Sequence, residues 1–401
     1  MDKKIIKNIE MKAAFIHDHY FVYNPKDGKY YDGSGGVFDE KLWQRYLAVF
    51  NSLIVVGRRK DNLPNKLVDS SCANVTFELR DELKAGVNRF TKRNLIKNQL
   101  AKTLSKVDFA IIRVPSVLGY VAQEICIENN IKYTLEVVAC SWDAYWNYGN
   151  ISGKLMAPLE YYKLKATVAK AKACIYVTKV FLQSRYPTYC EYESISNVNI
   201  DNTISKTDKD NFYSGYIKGE EFKIALIGSF HVKYKGHFEV MKALHYLKTV
   251  HKLGNFKIYF VGTGDPTWVI NIAKSLGITE SVEIVGTLKA GNEGILPFLD
   301  AMHLYVHPSK QEGLPRVVIE ALSRGRLALG SKAAGIPELI DEEFLHSPGD
   351  WKKLAKDIKA IYHRQEDWEK LSDISLERSF EYLESVLQKR RENYLKRVSN
   401  A

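Results

Sequence analysis

The chain has 401 residues and a formal net charge of +11, with 45% hydrophobic and 26% charged residues. This length predicts two domains, and the composition excludes a disordered chain. No run of about 18 apolar residues occurs, which excludes a membrane-spanning helix. The charged start MDKKIIKNIE lacks the apolar stretch of a secretory signal, and Met11 is an alternative start. The five cysteines form no C-x-x-C pair, so we expect free thiols in a reducing cytoplasm.

Apolar strands alternate with helical patterns in the first half of the chain. The helical patterns lie at 39–50 and 119–130. Such alternation predicts a parallel sheet with helices on both faces. The strands are predicted at 12–17, 53–57, 109–114, 133–138 and 173–178.

The alternation lapses in a polar stretch and then restarts. We therefore predict an N-terminal domain at 1–205, a linker at 206–221 and a second domain at 222–379, with a C-terminal helix at 380–401 that joins the first domain. The fold class is α/β, with two tandem Rossmann-like, doubly wound parallel sheets. Ligands in such sheets bind beyond the carboxyl ends of the strands. The second-domain strands are predicted at 223–229, 257–264, 282–286, 304–309 and 327–331, and the helices from about 238, at 267–276 and at 315–324.

The stretch EGLPRVVIE, at 312–320, carries two glutamates around a predicted helix start. Pro315 suits the first turn of a helix, so Glu312 is placed on the preceding loop and Glu320 inside the helix. Backbone N–H groups of the turn at 314–317 can point at a phosphate. Carboxylates accept two hydrogen bonds from a vicinal diol, which suits sugar and ribose hydroxyls.

Five motifs resemble, in order, those of the retaining GT-B glycosyltransferases of glycosyltransferase family 4, which carry an E-x(7)-E signature. This resemblance extends to bacterial surface-polysaccharide glycosyltransferases and covers nearly the whole second domain. It implies a nucleotide-sugar cleft between the two domains. The motifs are IGSF…KYKG at 227–236, FVGTGD at 260–265, VEIVGTL at 282–288, HPSKQEGLPRVVIEAL at 307–322 and GSKAAGIPELI at 330–340.

The resemblance implies roles for individual residues of the donor site. Glu312 would contact the donor sugar, Glu320 would hold the ribose diol, and Lys235 would neutralise the diphosphate. In the first domain Gly36, of GSGGVF, would let the backbone approach the β-phosphate, although a flexible turn is the alternative reading of these glycines. The main chain beside Glu312 would assist through Gly313, Leu314, Pro315 and Arg316.

Two positions depart from the family pattern. Ser229 stands where many members have an arginine, so Lys233 or an arginine of the first domain would have to supply that charge. Arg113, of RVPS, stands near a position where the family often has a histidine. The predicted catalytic residues are therefore Glu312, Lys235 and Arg113.

The resemblance also implies a mechanism without metal or cofactor. Front-face displacement would let the leaving phosphate accept the proton of the acceptor, so that catalysis is mostly positioning and charge stabilisation. The lysine and the helix dipoles would replace Mg²⁺, and no D-x-D motif is placed to bind a metal.

The acceptor is expected on the first domain. Candidate contacts are His17, for which a structural hydrogen bond is an equal alternative, and Asp143. Tyr20 and Tyr23 lie in an aromatic stretch that would clamp a glycan, or else form a buried aromatic staple.

Two basic stretches, 84–107 and 154–173, are either solvated helix faces or a surface for an anionic partner, lipid or nucleic acid. We expect a cytoplasmic enzyme at the inner face of the plasma membrane that extends a lipid-linked saccharide in O-antigen, lipopolysaccharide or capsule biosynthesis, without nucleic acid as a partner.

Other activities remain as alternatives. One is a different GT-B chemistry, such as a nucleotide-sugar epimerase or a phosphorylase, although the latter would need a lysine-bound pyridoxal phosphate and a longer chain. Another is a non-catalytic basic protein that binds nucleic acid or anionic lipid. The sequence leaves open the nucleotide base, the sugar and the acceptor.

Overall fold

The computed structural model describes residues 10–34, 38–64, 67–81, 93–146 and 151–401. The chain forms two compact units. The first comprises Met1–Ile195 together with Gln388–Ala401, and the second is Ser196–Leu387.

The first unit is built on an eight-stranded sheet. Seven strands are parallel, in the order β4-β3-β1-β5-β6-β7-β8, and β2 pairs antiparallel with β1. The sheet changes direction of winding between β1 and β5, as a doubly wound sheet does. The strands are β1 (Lys12–Asn24), β2 (Lys29–Asp32), β3 (Ser52–Arg59), β4 (Val75–Arg80), β5 (Phe109–Val114), β6 (Lys132–Val137), β7 (Ala173–Tyr176) and β8 (Glu191–Ser194).

The longer helices of this unit pack on the sheet through buried apolar side chains. Leu100 of α2, Val121 of α3 and Leu164 of α5 share one core cluster with Ile112 of the central strand β5. The helices before the unit boundary are α1 (Glu40–Leu47), α2 (Arg93–Leu104), α3 (Val117–Glu128), α4 (Ser141–Trp146), α5 (Ile151–Ala169) and α6 (Phe181–Arg185).

The aromatic stretch after the first predicted strand is a β-hairpin. β1 continues to Asn24, and the chain then turns back into β2, which pairs with β1 in antiparallel orientation. Phe21 is 1% exposed, and the Tyr30 ring stacks on Phe77 with centroids 4.3 Å apart. The first strand is therefore longer than the predicted 12–17, and Phe21 and Tyr30 fit the staple alternative, whereas Tyr23 remains 45% exposed.

The second unit contains a six-stranded sheet in the order β11-β10-β9-β12-β13-β14, and every pair is parallel. The winding reverses between β9 and β12. The predicted α/β class with two doubly wound sheets is confirmed. The strands are β9 (Phe222–Ile227), β10 (Phe256–Val261), β11 (Val282–Gly286), β12 (Leu304–His307), β13 (Leu327–Ser331) and β14 (Leu345–His346).

The predicted linker contains a helix of the second unit. α7 (Lys206–Ser214) begins at its N-cap Ser205 and carries Tyr213 into the core. The Tyr213 hydroxyl lies 3.1 Å from the carbonyl oxygen of His303 and 3.2 Å from the backbone nitrogen of Leu327. The linker prediction for 206–221 is wrong, because Tyr213, Phe212 and the buried Lys209 attach this polar segment to the second unit. The following helices are α8 (His237–Thr249), α9 (Thr267–Ser275), α10 (Ile295–Asp300), α11 (Arg316–Ser323), α12 (Trp351–His363) and α13 (Trp368–Ser379).

The last helix, α14 (Glu384–Asn400), returns the chain to the first unit. Residues 380–382, predicted as its first turn, form a separate 3-10 turn. Tyr394 and Leu395 are buried, and the Tyr394 hydroxyl donates to the carbonyl oxygen of Glu191 at 3.2 Å. Within the described ranges, no helix has both the length and the apolar content that a membrane span requires.

We expect Tyr213→Phe to lower the free energy of unfolding by about 1–3 kcal/mol, because the buried N–H of Leu327 loses its acceptor. Urea unfolding measures the change. Tyr216→Phe is the control, since its hydroxyl bonds the Glu220 carbonyl at an exposed site where water can replace it. Equal losses in the two variants would contradict this account of α7.

Candidate functional site

The two loops that carry the predicted donor residues meet at the reversal point of the second sheet. β9 and β12 are neighbours, with Ala225 opposite Tyr305. Their carboxyl ends therefore open on the same edge, where such sheets bind ligands. The loop after β9 carries Lys235, and the loop after β12 carries Glu312.

Lys235 and Glu312 form an ion pair across these loops. Lys235 Nζ donates to Glu312 Oε1 at 2.7 Å. The next residue, Gly236, has φ +88°, and a Cβ built there would lie 2.5 Å from Cγ of Pro308. Both the backbone angle and the close approach require glycine, so the last residue of KYKG permits the contact between the loops.

Glu312 has a second partner that the sequence analysis missed. His307, the last residue of β12, lies with Nε2 2.8 Å from Glu312 Oε1 and with Nδ1 2.9 Å from the Tyr305 hydroxyl. An ionised carboxylate only accepts hydrogen bonds, which assigns the proton of a neutral His307 to Nε2 and makes Tyr305 the donor to Nδ1. The alternation of a strand places Tyr305 and His307 on the same side, but no sequence pattern predicts the contact of His307 with Glu312.

These partners keep Glu312 ionised. Burial favours the neutral acid, but the hydrogen bond from His307 and the charge of Lys235 outweigh it and lower the pKa of Glu312 to about 2. At neutral pH this site therefore offers a fixed carboxylate oriented by two donors.

Glu320 has a contrasting environment. It lies in α11, is 5% exposed, and has the Arg316 guanidinium 4.0 Å from its carboxylate. Burial raises its pKa to about 7, and Arg316 opposes the shift only in part. A carboxyl group in this state lacks the hydrogen bonds that its ionised form needs.

The other predicted donor-site residues lie in the loop after β9 and at the start of α11. Ser229 Oγ donates to the Thr263 carbonyl at 3.2 Å, and Lys233 is exposed beside it. Pro315, predicted in the first turn, is the N-cap of α11, which begins one residue later than predicted, at Arg316.

The residues beside Glu312 line the start of α11. Nothing lies within 4 Å of a Cβ built at Gly313, so this backbone is open to a ligand. Leu314 packs at the edge of a core cluster, and Arg316 donates to the Asn199 carbonyl at 3.3 Å. Their roles in donor binding stay predictions.

Arg113 is a buried structural residue in the first unit. Its Nη2 lies 2.9 Å from Glu136 Oε2, and its guanidinium lies 4.9 Å from the ring centroid of Phe15. This pairing accounts for the arginine without a ligand, so its predicted catalytic role gains no support. Gly36 lies outside the described residues.

The acceptor candidates have different environments. Nδ1 of His17 is buried without a hydrogen-bond partner, and burial together with Arg113 lowers its pKa well below the usual value. Asp143 pairs with Arg185 at 3.1 Å, and the Tyr20 hydroxyl accepts from Arg58 at 3.2 Å. Tyr23 is exposed.

The sequence analysis also missed Asp18. Its carboxylate accepts from the backbone N–H groups of Val117 at 2.7 Å and Leu118 at 2.9 Å, and Arg58 donates to it at 2.9 Å. Asp18 thus occupies the start of α3 at the reversal point of the first sheet. Across the part of the chain described above, no group of three or more His, Cys, Asp or Glu side chains could hold a metal ion.

Comparison with known proteins gives a family to this arrangement. A profile of "Glycosyl transferases group 1" matches residues 221–364. Protein CapJ of Staphylococcus aureus is 34% identical over 359 residues, covering 88% of each chain. An uncharacterized glycosyltransferase of Haemophilus influenzae is 24% identical over 302 residues, covering 74% of this chain and 77% of that protein.

Solved structures share the fold. Anabaena HepE in complex with UDP has a TM-score of 0.67 at 14% identity, covering 98% of this chain and 100% of HepE. Sucrose-phosphate synthase of Thermosynechococcus elongatus has a TM-score of 0.64 at 15% identity, with 98% and 100% coverage. The fold is GT-B. The chain belongs to the glycosyl transferases group 1 family and is a glycosyltransferase.

Proposed function

We propose that this enzyme moves a sugar from a nucleoside-diphosphate sugar to a saccharide acceptor with retention of configuration. The observation that carries the proposal is the contact of Lys235 and His307 with the same oxygen of Glu312, at the reversal point of the second sheet. A cation and a fixed carboxylate stand side by side there. The first serves a diphosphate, and the second serves sugar hydroxyls.

Lys235 changes partner in the proposed reaction. Its ammonium is 21% exposed and is held by Glu312 in the ligand-free protein. A diphosphate placed beside it offers more negative charge than one carboxylate, so Lys235 can be shared between the two. Glu312 then keeps His307 as its donor and has lone pairs free for the hydroxyls of the donor sugar.

Glu320 supports the proposal because its burial lowers the stability of the folded protein. Burying a carboxyl group whose pKa rises to about 7 destabilises the fold at neutral pH. A ribose diol would donate two hydrogen bonds to the ionised form and relieve that penalty. A buried carboxyl group with a strongly shifted pKa is typical of a binding site, so the environment of Glu320 supports a role in ligand binding.

The proposed chemistry depends on positioning. As the bond between the anomeric carbon and the diphosphate oxygen breaks, the acceptor oxygen forms its bond on the same face. The departing phosphate oxygen takes the acceptor proton. Lys235 and the N–H groups at the start of α11 stabilise the charge that develops on the diphosphate. The proposal includes no metal and no cofactor.

The relatives guide the choice of substrates. HepE was solved with UDP and with UDP-glucose, so these are the first ligands to test. CapJ favours capsule polysaccharide as the setting, and WaaB, a lipopolysaccharide outer core galactosyltransferase, shares the fold. We propose a lipid-linked acceptor at the inner face of the plasma membrane.

An epimerase is the second candidate activity. Product analysis distinguishes it from a transferase, because only a transferase makes a new glycosidic bond.

We expect Glu320→Ala to weaken binding of the bare nucleotide and Glu312→Ala to reduce mainly the transfer of sugar. The ribose diol is present in UDP, whereas the donor sugar is not. Calorimetric titration of UDP into both variants measures the first effect, and product formation measures the second. Equal losses of UDP affinity would refute this division.

Lys235→Ala should raise the barrier to transfer by roughly 2–4 kcal/mol if the ammonium is a preorganised charge on the departing diphosphate. The measured quantity is kcat with saturating donor, and Lys233→Ala is the matched control in the same loop. A near-normal kcat for Lys235→Ala, with a loss in Lys233→Ala, would assign the charge to Lys233.

Glu320→Gln should stabilise the ligand-free protein as pH rises. The pKa of Glu320 lies above its unfolded value, so its cost is absent below about pH 4.5, grows as pH rises and is complete above about pH 7. The gain above pH 7 should be on the order of 3 kcal/mol. Urea unfolding at pH 5 and pH 8 tests this, with exposed Glu280→Gln as the control. A gain that is the same at both pH values would contradict the assignment.

A further inference from the structure

One helix of the first unit exposes a row of large apolar side chains. On α5, Ile151 is 79% exposed, Leu155 75%, Leu159 59% and Tyr162 66%. At about 100° per residue, these four lie within about 80° of one another on the helix. We call them the outer stripe.

The opposite face of α5 packs on the sheet. Ala157, Leu164 and Val168 are each 0% exposed. A surface helix normally presents polar residues to water, whereas a helix that is apolar on both faces needs two apolar surroundings. Single exposed apolar residues are ordinary, but a continuous row is typical of a binding surface.

Lysines border the outer stripe on both sides. By helical position, Lys154 and Lys165 lie on one flank and Lys163 on the other, and Lys170 follows directly after the last residue of α5. None of these four forms an ion pair with a carboxylate of the described residues. Lys163 Nζ instead lies 4.3 Å from the ring centroid of Tyr120. The four charges are therefore available to an anionic partner.

The other basic stretch is largely neutralised where it is described. Lys97 Nζ lies 3.2 Å from Glu124 and 2.7 Å from Glu128, both on α3. Arg93 also pairs with Glu124, and Lys106 lies 3.4 Å from Glu78. Residues 84–92 lie outside the described ranges. Of the two stretches, the one on α5 therefore has more lysines without a carboxylate partner among the described residues.

We propose that the outer stripe and its flanking lysines dock on an anionic lipid bilayer. α5 would lie in the plane of the interface, with the outer stripe below the headgroups and the lysine ammonium groups at the lipid phosphates. This inference deepens the membrane association of the proposed function and rests on it, but requires no sugar transfer.

Charge argues for lipid over a second copy of the chain. A twofold contact would place the same surface on both sides, so the lysine rows would face each other and repel. A groove of about 900 Å³ beside α5, lined in part by Val121, Ile127 and Met156, adds apolar surface on the flank of Lys163. An acyl chain would fit such a surface.

The test is sedimentation of the full chain with vesicles of phosphatidylglycerol and phosphatidylcholine. Leu155→Gln and Leu159→Gln should each lower the partition coefficient about tenfold. Ile217→Gln, at a 64% exposed position of the second unit, is the matched control and should bind as the wild type does. Lys154→Gln with Lys165→Gln should weaken binding to anionic vesicles only.

Salt separates the two modes of binding. Apolar insertion should leave a salt-resistant fraction bound, whereas contacts of charge alone are lost as salt rises. Wild type that ignores anionic vesicles at low salt would overturn the proposal. The proposal would also be overturned if Leu155→Gln bound vesicles normally while Lys97→Glu did not, because binding would then depend on the other basic stretch. A dimer that Leu155→Gln dissociates, without vesicle binding, would assign the stripe to a second copy.

UDP titration of the same variants keeps this result separate from the proposed function. The stripe variants should bind UDP as the wild type does. Loss of vesicle binding with normal UDP binding therefore supports the docking surface, and a wild type that binds vesicles but no UDP would refute only the proposed nucleotide site.

Discussion

The candidate site of the second unit depends on the stabilisation of the buried, ionised carboxylate of Glu312. A carboxylate at this depth is unfavourable alone, since burial raises its pKa. It is stabilised because strand order places the loop with Lys235 beside the strand that ends in His307. The reversal of winding between β9 and β12 thus supplies both the opening for a ligand and the donors that hold the acid.

The surroundings of the two glutamates of the signature shift their pKa values in opposite directions. Glu312 has a cation and an imidazole, and its pKa falls to about 2, whereas Glu320 has a distant guanidinium and its pKa rises to about 7. Glu312 already accepts hydrogen bonds from Lys235 and His307. The nearest charged partner of Glu320 is Arg316 at 4.0 Å, and a ligand with hydroxyl donors would stabilise its ionised form. Under the proposed function, these two states of one residue type would serve two different parts of a nucleotide sugar.

Periodicity in the sequence was sufficient for most of the fold. β5 and β13 lie at their predicted residues because buried strands read as short apolar runs between turns. α7 was missed because its contacts with the core come from Tyr213, Phe212 and the buried Lys209, which form no apolar period in a polar segment. At the site, the spacing and the family resemblance singled out Glu312 and Glu320, whose roles stay predictions. His307 was missed because its value depends on the contact with Tyr305 and Glu312, which no local pattern contains.

The return of the last helix to the first unit has a consequence for the order of folding. Glu136 is buried, and Arg113 together with Arg391 of α14 lowers its pKa against the effect of burial. Arg391 is synthesised after the whole second unit, so the first unit lacks one of its two balancing charges while the second is already complete. This charge balance of the first unit therefore waits for α14, although residues 1–195 are synthesised before the second unit.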